Sequence, residues 1–584
     1  MRWSSLILAA LVAGATALAF IRPAGYGLVN LDDYAYAETY EGVTGGLGAG
    51  AVRWAFEGAH ENIYMPLTWL SYAADWSLGG ERRVHRVMHL HSIALHALNA
   101  VLVFLLLMAV LRCGPCVAAA GALLWALHPL RVESVAWIAS RKDVLSMAFL
   151  LCALHAWVRF RLDDSGRWYA VSMLCFVCGA LAKPSVMSFP FLALTLDFFF
   201  LRRTELRAAL SDRAYLLPLA AFVVLTAYTK TCQDAGVKIF PELAGAPFGY
   251  RVLNAAVSYG VYLIETVFPA NLAPQCMLRY PDLPRMCAPA LTVAAAAACC
   301  AGLSLRRRGA FAAGLAWYSF AVAPMLGLAG FGFHSAADRF TYIPAVGLSF
   351  AAAAGLARLK GRAARICAGV ACGAVLAALA AVTIRQSGYW ENDLKLFSRT
   401  LEVDGEENVL AQFNVGGYLW EHDHDLERAE RHFRKGRAKY PRNAYSGMNG
   451  ALQIMTLCEL GRREEAARVL HEASELEKEH GAGLVFGDGF LAARGLYFLL
   501  FIGADQMRDD LAVIERSTAS SLHGKYLRAF LRLQEEGERG YREAVAELLA
   551  SRGRIHRRDC LQYRFLERSG PVPRRQEKFQ GTNP

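Results

Sequence analysis

Long charge-poor apolar stretches recur from the N-terminus to about residue 385, and beyond it the pattern changes to short amphipathic segments rich in Arg and Glu. A helix needs roughly 17 to 25 mostly apolar residues to cross the hydrocarbon of a bilayer. On that criterion about eleven spans are expected, near residues 4–21, 88–111, 114–130, 144–160, 168–182, 185–201, 214–229, 287–305, 310–330, 341–357 and 366–384. The fifth and sixth are separated by Lys183 and Pro184 and also read as one broken helix. The predicted fold is all-α. It comprises a polytopic membrane helix bundle over residues 1–385, a soluble helical-repeat domain over 386–570, and a disordered tail over 571–584 rich in Pro, Arg and Gln.

The first run, Ser4 to Ile21 after Arg2, is longer than a usual signal-peptide core and lacks a clear cleavage site, so a retained helix is expected. Lys and Arg in short loops mark the cytoplasmic side. Arg112, Arg159, Arg161, Arg167, Arg202, Arg203, Arg207, Arg213, Arg306 to Arg308, Arg358, Lys360, Arg362 and Arg365 then fall on one side. This predicts a cytoplasmic N-terminus and an extracytoplasmic repeat domain in a cytoplasmic (inner) membrane. Counting Val252 to Ile264 as a span reverses everything after it, so that stretch is read as interfacial or re-entrant.

Composition agrees with the membrane reading: 55% of residues are hydrophobic and 19% charged, too apolar for one soluble fold. The net charge of +11 resides largely in those short loops, so no nucleic-acid partner is expected. Most of the fourteen cysteines are not a disulfide framework, because Cys152, Cys175, Cys178, Cys299, Cys300, Cys367 and Cys372 lie in apolar runs. Cys232, Cys276 and Cys287 share an outer loop in which one pair is able to oxidise, and Cys113 with Cys116 lacks the second pair of a zinc site.

Ionisable residues concentrate at the outer membrane ends: Asp32, Asp33, His128, Glu133, Arg141, Asp143, Lys183, His334, Asp338 and Arg339. Such groups are costly there unless they pair or act. Adjacent carboxylates such as Asp32 and Asp33 suit a general base and a partner that orients an acceptor, although a solvated acidic pair is the commoner use of the same residues. In the block His128 to Leu145, read as a helix, Glu133, Trp137 and Arg141 form one stripe, with Arg141 or Lys142 able to hold a phosphate. The competing reading is a helix end anchored by long charged side chains. His85, His89, His91 and His96 are read as packing residues, and Trp54, Trp69, Tyr72 and Trp76 as an amphipathic helix on the membrane surface.

Beyond Asn408 the pattern Ala411, Asn414, Gly416, Tyr418, Ala429, Phe433, Ala438 and Pro441 fits a tetratricopeptide-type helical pair. It recurs about 34 residues on, where Tyr445 and Gly450 match Ala411 and Gly416. Weaker pairs cover 488–515 and 525–550. Stacked repeats of this kind bind peptide or protein on a concave face.

Taken in order, Leu31 to Val43, the block His128 to Leu145, Ala182-Lys183-Pro184, the string Ala337 to Pro344 and the repeats that follow resemble the transmembrane O-mannosyltransferases that act on cadherins, and their bacterial relatives. These are C-type (GT-C) glycosyltransferases. The resemblance implies transfer of a mannose-like sugar from a polyprenyl-phosphate donor to protein hydroxyls on the extracytoplasmic face. It implies Asp32 as base with Asp33 its partner, and Arg141, Lys183 and Arg339 on the donor phosphate. Glu133 and His128, with Asp143, His334 and Asp338, would shape the site. No cofactor is implied; a divalent metal is compatible with two Asp side chains but not demanded. The chain departs from that family in having few repeats. The alternatives are a transferase acting on a lipid-linked or cell-envelope glycan, and a non-catalytic transporter or scaffold. A transporter more often places ionisable groups at the membrane midplane.

Overall fold

The structure is a computed structural model. It describes residues 3–61, 63–201, 211–234, 248–274, 276–277, 291–300, 302, 309–326, 334–438 and 444–480. The expected repeats at 488–515 and 525–550 and the tail 571–584 lie outside the described residues, as does Cys287. Chain contacts divide the protein into two units, Met1–Leu396 and Phe397–Pro584. The first runs past residue 385 because its last long helix continues to Tyr389 and the chain then bonds back. Trp390 stacks on Trp137 with centroids 6.1 Å apart, and the Asp393 carboxylate accepts from the Asn30 amide at 2.6 Å.

The described chain is helical apart from a short antiparallel pairing of β1 (Cys276–Met277) with β2 (His334–Ala336). In the first unit the main helices are α1 (Trp3–Ala19), α2 (Ala49–Glu57), α3 (Pro66–Leu111), α4 (Pro115–Ala126), α5 (Arg141–Asp163), α6 (Gly166–Ala182), α7 (Phe189–Leu196), α8 (Leu216–Asp234), α9 (Phe248–Val267), α10 (Ala310–Val322), α11 (Ala345–Ala357) and α12 (Arg362–Tyr389). Each of the eleven apolar stretches contains helix. By length and hydropathy four helical segments among the described residues suffice to cross a bilayer: Pro66–Leu111, Ile138–Asp163, Pro184–Leu201 and Arg362–Tyr389. The pair Pro115–Ala126 and Pro129–Ala136, bent by 60°, makes a fifth if it is one span. The others are apolar helices of 10–17 residues.

The breaks have local causes. Gly80 has φ of 56°, a left-handed conformation that L side chains resist, and kinks α3. Lys183 precedes Pro184, whose ring disfavours helical backbone at the residue before it. Lys183 is accordingly extended and ends α6, and Pro184–Leu201 beyond it is by itself long and apolar enough to cross a bilayer. Packing is tightest between α10 and α11, where a Cβ on Gly314 would lie 2.4 Å from the Gly347 carbonyl oxygen and a Cβ on Gly347 would lie 2.3 Å from that of Gly314. Small residues permit such close helix approach.

Trp54, Trp69, Tyr72 and Trp76 do not form one surface helix. Trp54 belongs to α2 and the others to α3, where Trp69 and Tyr72 are fully buried and Tyr36 stacks on Trp69 with centroids 4.8 Å apart. Burying these large rings against one another outweighs an interfacial position. In the second unit two helical hairpins follow one another, Val409–Tyr418 with Leu426–Ala438 and Ala444–Glu459 with Arg463–His480. The Phe433 ring fills the space a Cβ on Gly416 would need, 2.6 Å away.

Candidate functional site

The acidic pair separates on folding. Both oxygens of Asp33, which is 1% exposed, are taken by backbone amides: Oδ1 accepts from Ala139 at 2.8 Å and Oδ2 from Val29 at 3.1 Å. Burial pushes its carboxyl up to about 8, against the pull of those two donors. Asp33 therefore straps the first loop to the segment before α5. Asp32 is half-buried and carries no such strap; among the charged groups it interacts with are Lys142 and Arg339.

The same strap corrects the helical stripe expected through Glu133, Trp137 and Arg141. The first helix, Val132–Ala136, stops at Trp137, which is extended, and a 3-10 turn over Ile138–Ser140 leads into α5. An unbroken helix would direct the Ala139 amide to the carbonyl of Val135; here Asp33 takes it. The turn re-aims the three side chains separately.

Arg141 is fully buried and satisfied inside the bundle. It pairs with Asp75, donates to Ser92 Oγ at 3.3 Å and to the Met88 carbonyl, and lies over the Tyr72 ring at 4.8 Å. Its neighbour Lys142 points into the cluster. The Lys142 ammonium donates to the Tyr36 hydroxyl at 3.1 Å, above the Tyr36 ring at 4.4 Å and near that of Trp137 at 5.6 Å. Lys183, in the break after α6, meets Asp143 Oδ1 at 2.5 Å. Arg339 is held by Glu133, which accepts from the guanidinium and, at 2.8 Å, from the Arg339 backbone amide. For Arg339 burial opposes the charge, but Glu133, Asp143 and Asp32 together outweigh it, and the guanidinium is held above its ordinary value. Two cations, Lys142 and Arg339, thus share a charge interaction with Asp32, and Lys183, paired with Asp143, interacts with Lys142.

His128 caps the turn that follows it. Its Nδ1 accepts from the Leu130 amide at 3.3 Å, and its Nε2 lies 3.0 Å from the Thr266 carbonyl at the end of α9. Tyr262 on α9 accepts from the Ala337 amide at 3.1 Å. The stretch Val252 to Ile264 is thus within a helix whose C-terminal end is bolted to this site. Asp338 is buried, which together with Glu265 and Glu133 drives its carboxyl well above the usual range. His334 lies in β2, and its side chain is outside the described residues.

The structure therefore brings Asp32, Glu133, Asp143, Lys183 and Arg339 together and places Arg141 in a buried pair beside them. Sequence reasoning overlooked Asp75, Tyr36 and Glu265. A signal for Asp75 was present: a lone carboxylate in the otherwise uncharged run Tyr72 to Gly80 requires a buried cation. The histidines pair individually, His91 with Asp75 at 2.9 Å, His85 with Glu38 at 2.9 Å and His96 with the Tyr342 hydroxyl at 2.7 Å. Among the described residues no three His, Cys, Asp or Glu side chains are placed to hold a metal ion.

Such a constellation sets a half-buried carboxylate near a buried ammonium that is hydrogen-bonded to a tyrosine, with three further cations held in ion pairs around them. Comparison with models of protein families, with characterised proteins and with solved structures finds no match.

Proposed function

We propose that this chain is a membrane glycosyltransferase of the GT-C type. It transfers a mannose-like monosaccharide from a polyprenyl-phosphate donor to hydroxyl groups of protein acceptors on the extracytoplasmic face of a cytoplasmic membrane. The observation that carries this reading is the charge interaction of Lys142 and Arg339 with Asp32, with Lys183 beside Lys142, at the ends of apolar helices. A lipid donor keeps its tail in the hydrocarbon, so its phosphate lies at a membrane end, where these cations are.

In this mechanism Asp32 takes the proton of the acceptor hydroxyl as its oxygen bonds to the anomeric carbon. The bond from that carbon to the phosphate oxygen breaks, and its electron pair leaves on the phosphate. Lys142, Lys183 and Arg339 stabilise the charge that grows there, which is where fixed cations lower the barrier most. Arg141 acts one layer out, fixing α5 against Asp75 so that Lys142 faces the cluster. The bundle crosses the membrane about eleven times. The hairpins of the second unit are tetratricopeptide-like repeats on the extracytoplasmic side, and stacking of such repeats creates a surface for extended polypeptide.

The test uses the full-length protein in nanodiscs with polyprenyl-phosphate-linked hexoses and Ser/Thr-containing exported proteins as acceptors. Mass spectrometry is expected to show gain of one hexose, absent with Asp32→Asn. Failure of every such donor to support transfer to any acceptor, with the protein correctly inserted, would sink the reading.

A further inference from the structure

We propose that Trp137 and Asp143 recognise hydroxyl groups of the transferred sugar, the indole N–H as donor and one carboxylate oxygen as acceptor, and so set which sugar the site takes. This assignment rests on the lipid-linked-sugar reading of the site and deepens it.

Two buried polar atoms of opposite character stand here without a hydrogen-bond partner among the described residues, the Trp137 indole Nε1 and Asp143 Oδ2. Trp137 is 2% exposed and Asp143 5%, so neither is open to bulk water. A donor or acceptor buried without a partner costs free energy, and folded proteins retain few of them, each with a physical reason. An indole nitrogen only donates, and a carboxylate only accepts.

The local structure explains why the chain itself uses neither atom. Trp137 is the extended residue between the helix Val132–Ala136 and the turn Ile138–Ser140. The Arg339 guanidinium lies 5.1 Å and the Lys142 ammonium 5.6 Å from the centroid of its ring, and Trp390 stacks on it at 6.1 Å. Cations and stacked rings engage the π face of an indole. The N–H points outward in the ring plane, so these neighbours hold the ring and leave its donor free. Asp143, in the first turn of α5, gives Oδ1 to Lys183 at 2.5 Å and keeps Oδ2.

Both atoms belong to one neighbourhood, because Lys142 and Arg339, which lie over the Trp137 ring, are also in charge interaction with Asp143. A phosphate oxygen would accept from the indole but is repelled by a carboxylate oxygen. Hydroxyl groups suit both atoms, since each accepts and donates. In the lipid donor the sugar is one bond from the phosphate, and in the proposed transfer its anomeric carbon lies between that phosphate and Asp32. A phosphate held by Lys142 and Arg339, the two cations that interact with Asp32, therefore brings the sugar beside Trp137 and Asp143. A few placed polar groups are what orients a ligand in such a site. Buried groups that a substrate hydroxyl satisfies also discriminate strongly against a ligand without it, because its absence leaves them unpaired.

The experiment compares two lipids on full-length protein in nanodiscs, without acceptor: polyprenyl phosphate, and polyprenyl-phosphate mannose, which adds only the sugar. Dissociation constants are read by titration with native mass spectrometry. Wild type is expected to bind the mannosyl lipid at least about tenfold more tightly. Trp137→Phe keeps a ring for Trp390, Lys142 and Arg339 and removes the N–H. Asp143→Asn keeps an oxygen for Lys183 and replaces the other acceptor by a donor. Each is expected to lower the preference for the mannosyl lipid by about tenfold while changing the affinity for polyprenyl phosphate by less than about threefold, which also shows that the variant is folded and inserted. From the ligand side, monodeoxy analogues of the mannosyl lipid are titrated against wild type, and loss of at least one hydroxyl is expected to reproduce the weakening. With 15N-labelled tryptophan, the indole resonance missing from Trp137→Phe is expected to move with the mannosyl lipid and to stay in place with polyprenyl phosphate. No preference in wild type, a preference unchanged in both variants, or no weakening from any hydroxyl deletion overturns the proposal. An indole resonance that moves equally with the two lipids overturns it as well and puts the N–H on the phosphate. Absence of binding of either lipid to wild type overturns both this proposal and the proposed function. A preference that depends on Trp137 and Asp143 in a protein that transfers no sugar leaves the recognition standing and removes the transferase reading alone.

Discussion

Asp32 and Asp33 are adjacent and chemically identical, yet the fold gives them opposite tasks. Two backbone amides lock Asp33 in place, whereas Asp32 stays half-buried among cations. Replacing Asp32 by Asn removes the proposed base and changes little else, so turnover below about a tenth of wild type is expected with normal insertion. Greater residual activity in the purified variant would move the base elsewhere. Asp33→Asn is expected to act on stability instead. Its carboxyl is raised from the ordinary 3.8 to about 8. The protonated form therefore fits the fold, its contribution is complete below about pH 4, and it is lost as pH rises towards 8. The thermal midpoint of wild type should fall relative to that of Asp33→Asn between pH 5 and 8, measured by intrinsic fluorescence at each pH. A constant difference between the two would show that Asp33 does not titrate in this range.

At the scale of elements, the segment from His128 to Leu145 shows why periodicity alone misjudged the site. Its apolar spacing fits a helix, but the Asp33 strap diverts the Ala139 amide and splits it into two helices and a turn. That diversion carries Lys142 to Tyr36 and sends Arg141 inward to Asp75. Both were legible as basic residues beside a membrane end; which one faced the cluster was not, because a rotation of one residue on a helix is about 100°. The α10–α11 contact offers a cleaner structural test, since it is remote in kind from the charges. A Cβ at Gly347 would come within 2.3 Å of the Gly314 carbonyl, so Gly347→Ala must push the helices apart. A loss of about 1–3 kcal/mol is expected, the range found for overpacking. An unchanged thermal midpoint for Gly347→Ala would show that the helices yield freely.

For the whole molecule, the proposal of a cytoplasmic N-terminus and an odd number of crossings would put the second unit outside the cytoplasm. A reporter active only in the cytoplasm, fused after Pro584, is expected to be silent, and one active only outside is expected to work. The reverse result would require one crossing more or fewer, with α9 the first element to reconsider. Its end is bound to His128 and to the Ala337 segment, so this helix, which orientation arguments alone made peripheral, belongs to the architecture of the site.

The sequence by itself determined the helical class, the positions of the apolar helices and the set of charged residues at their ends, because these follow from local composition and from the cost of charge in an apolar setting. It also carried the break at Lys183–Pro184, a purely local steric effect. It did not determine which of two adjacent basic residues met Tyr36, which carboxylate became a strap, or that Asp75 and Arg141 formed a buried pair across 66 positions of chain. Those outcomes depend on contacts between segments far apart in sequence, where burial forces each charge to find a partner. Only the tertiary packing decides which partner lies within reach.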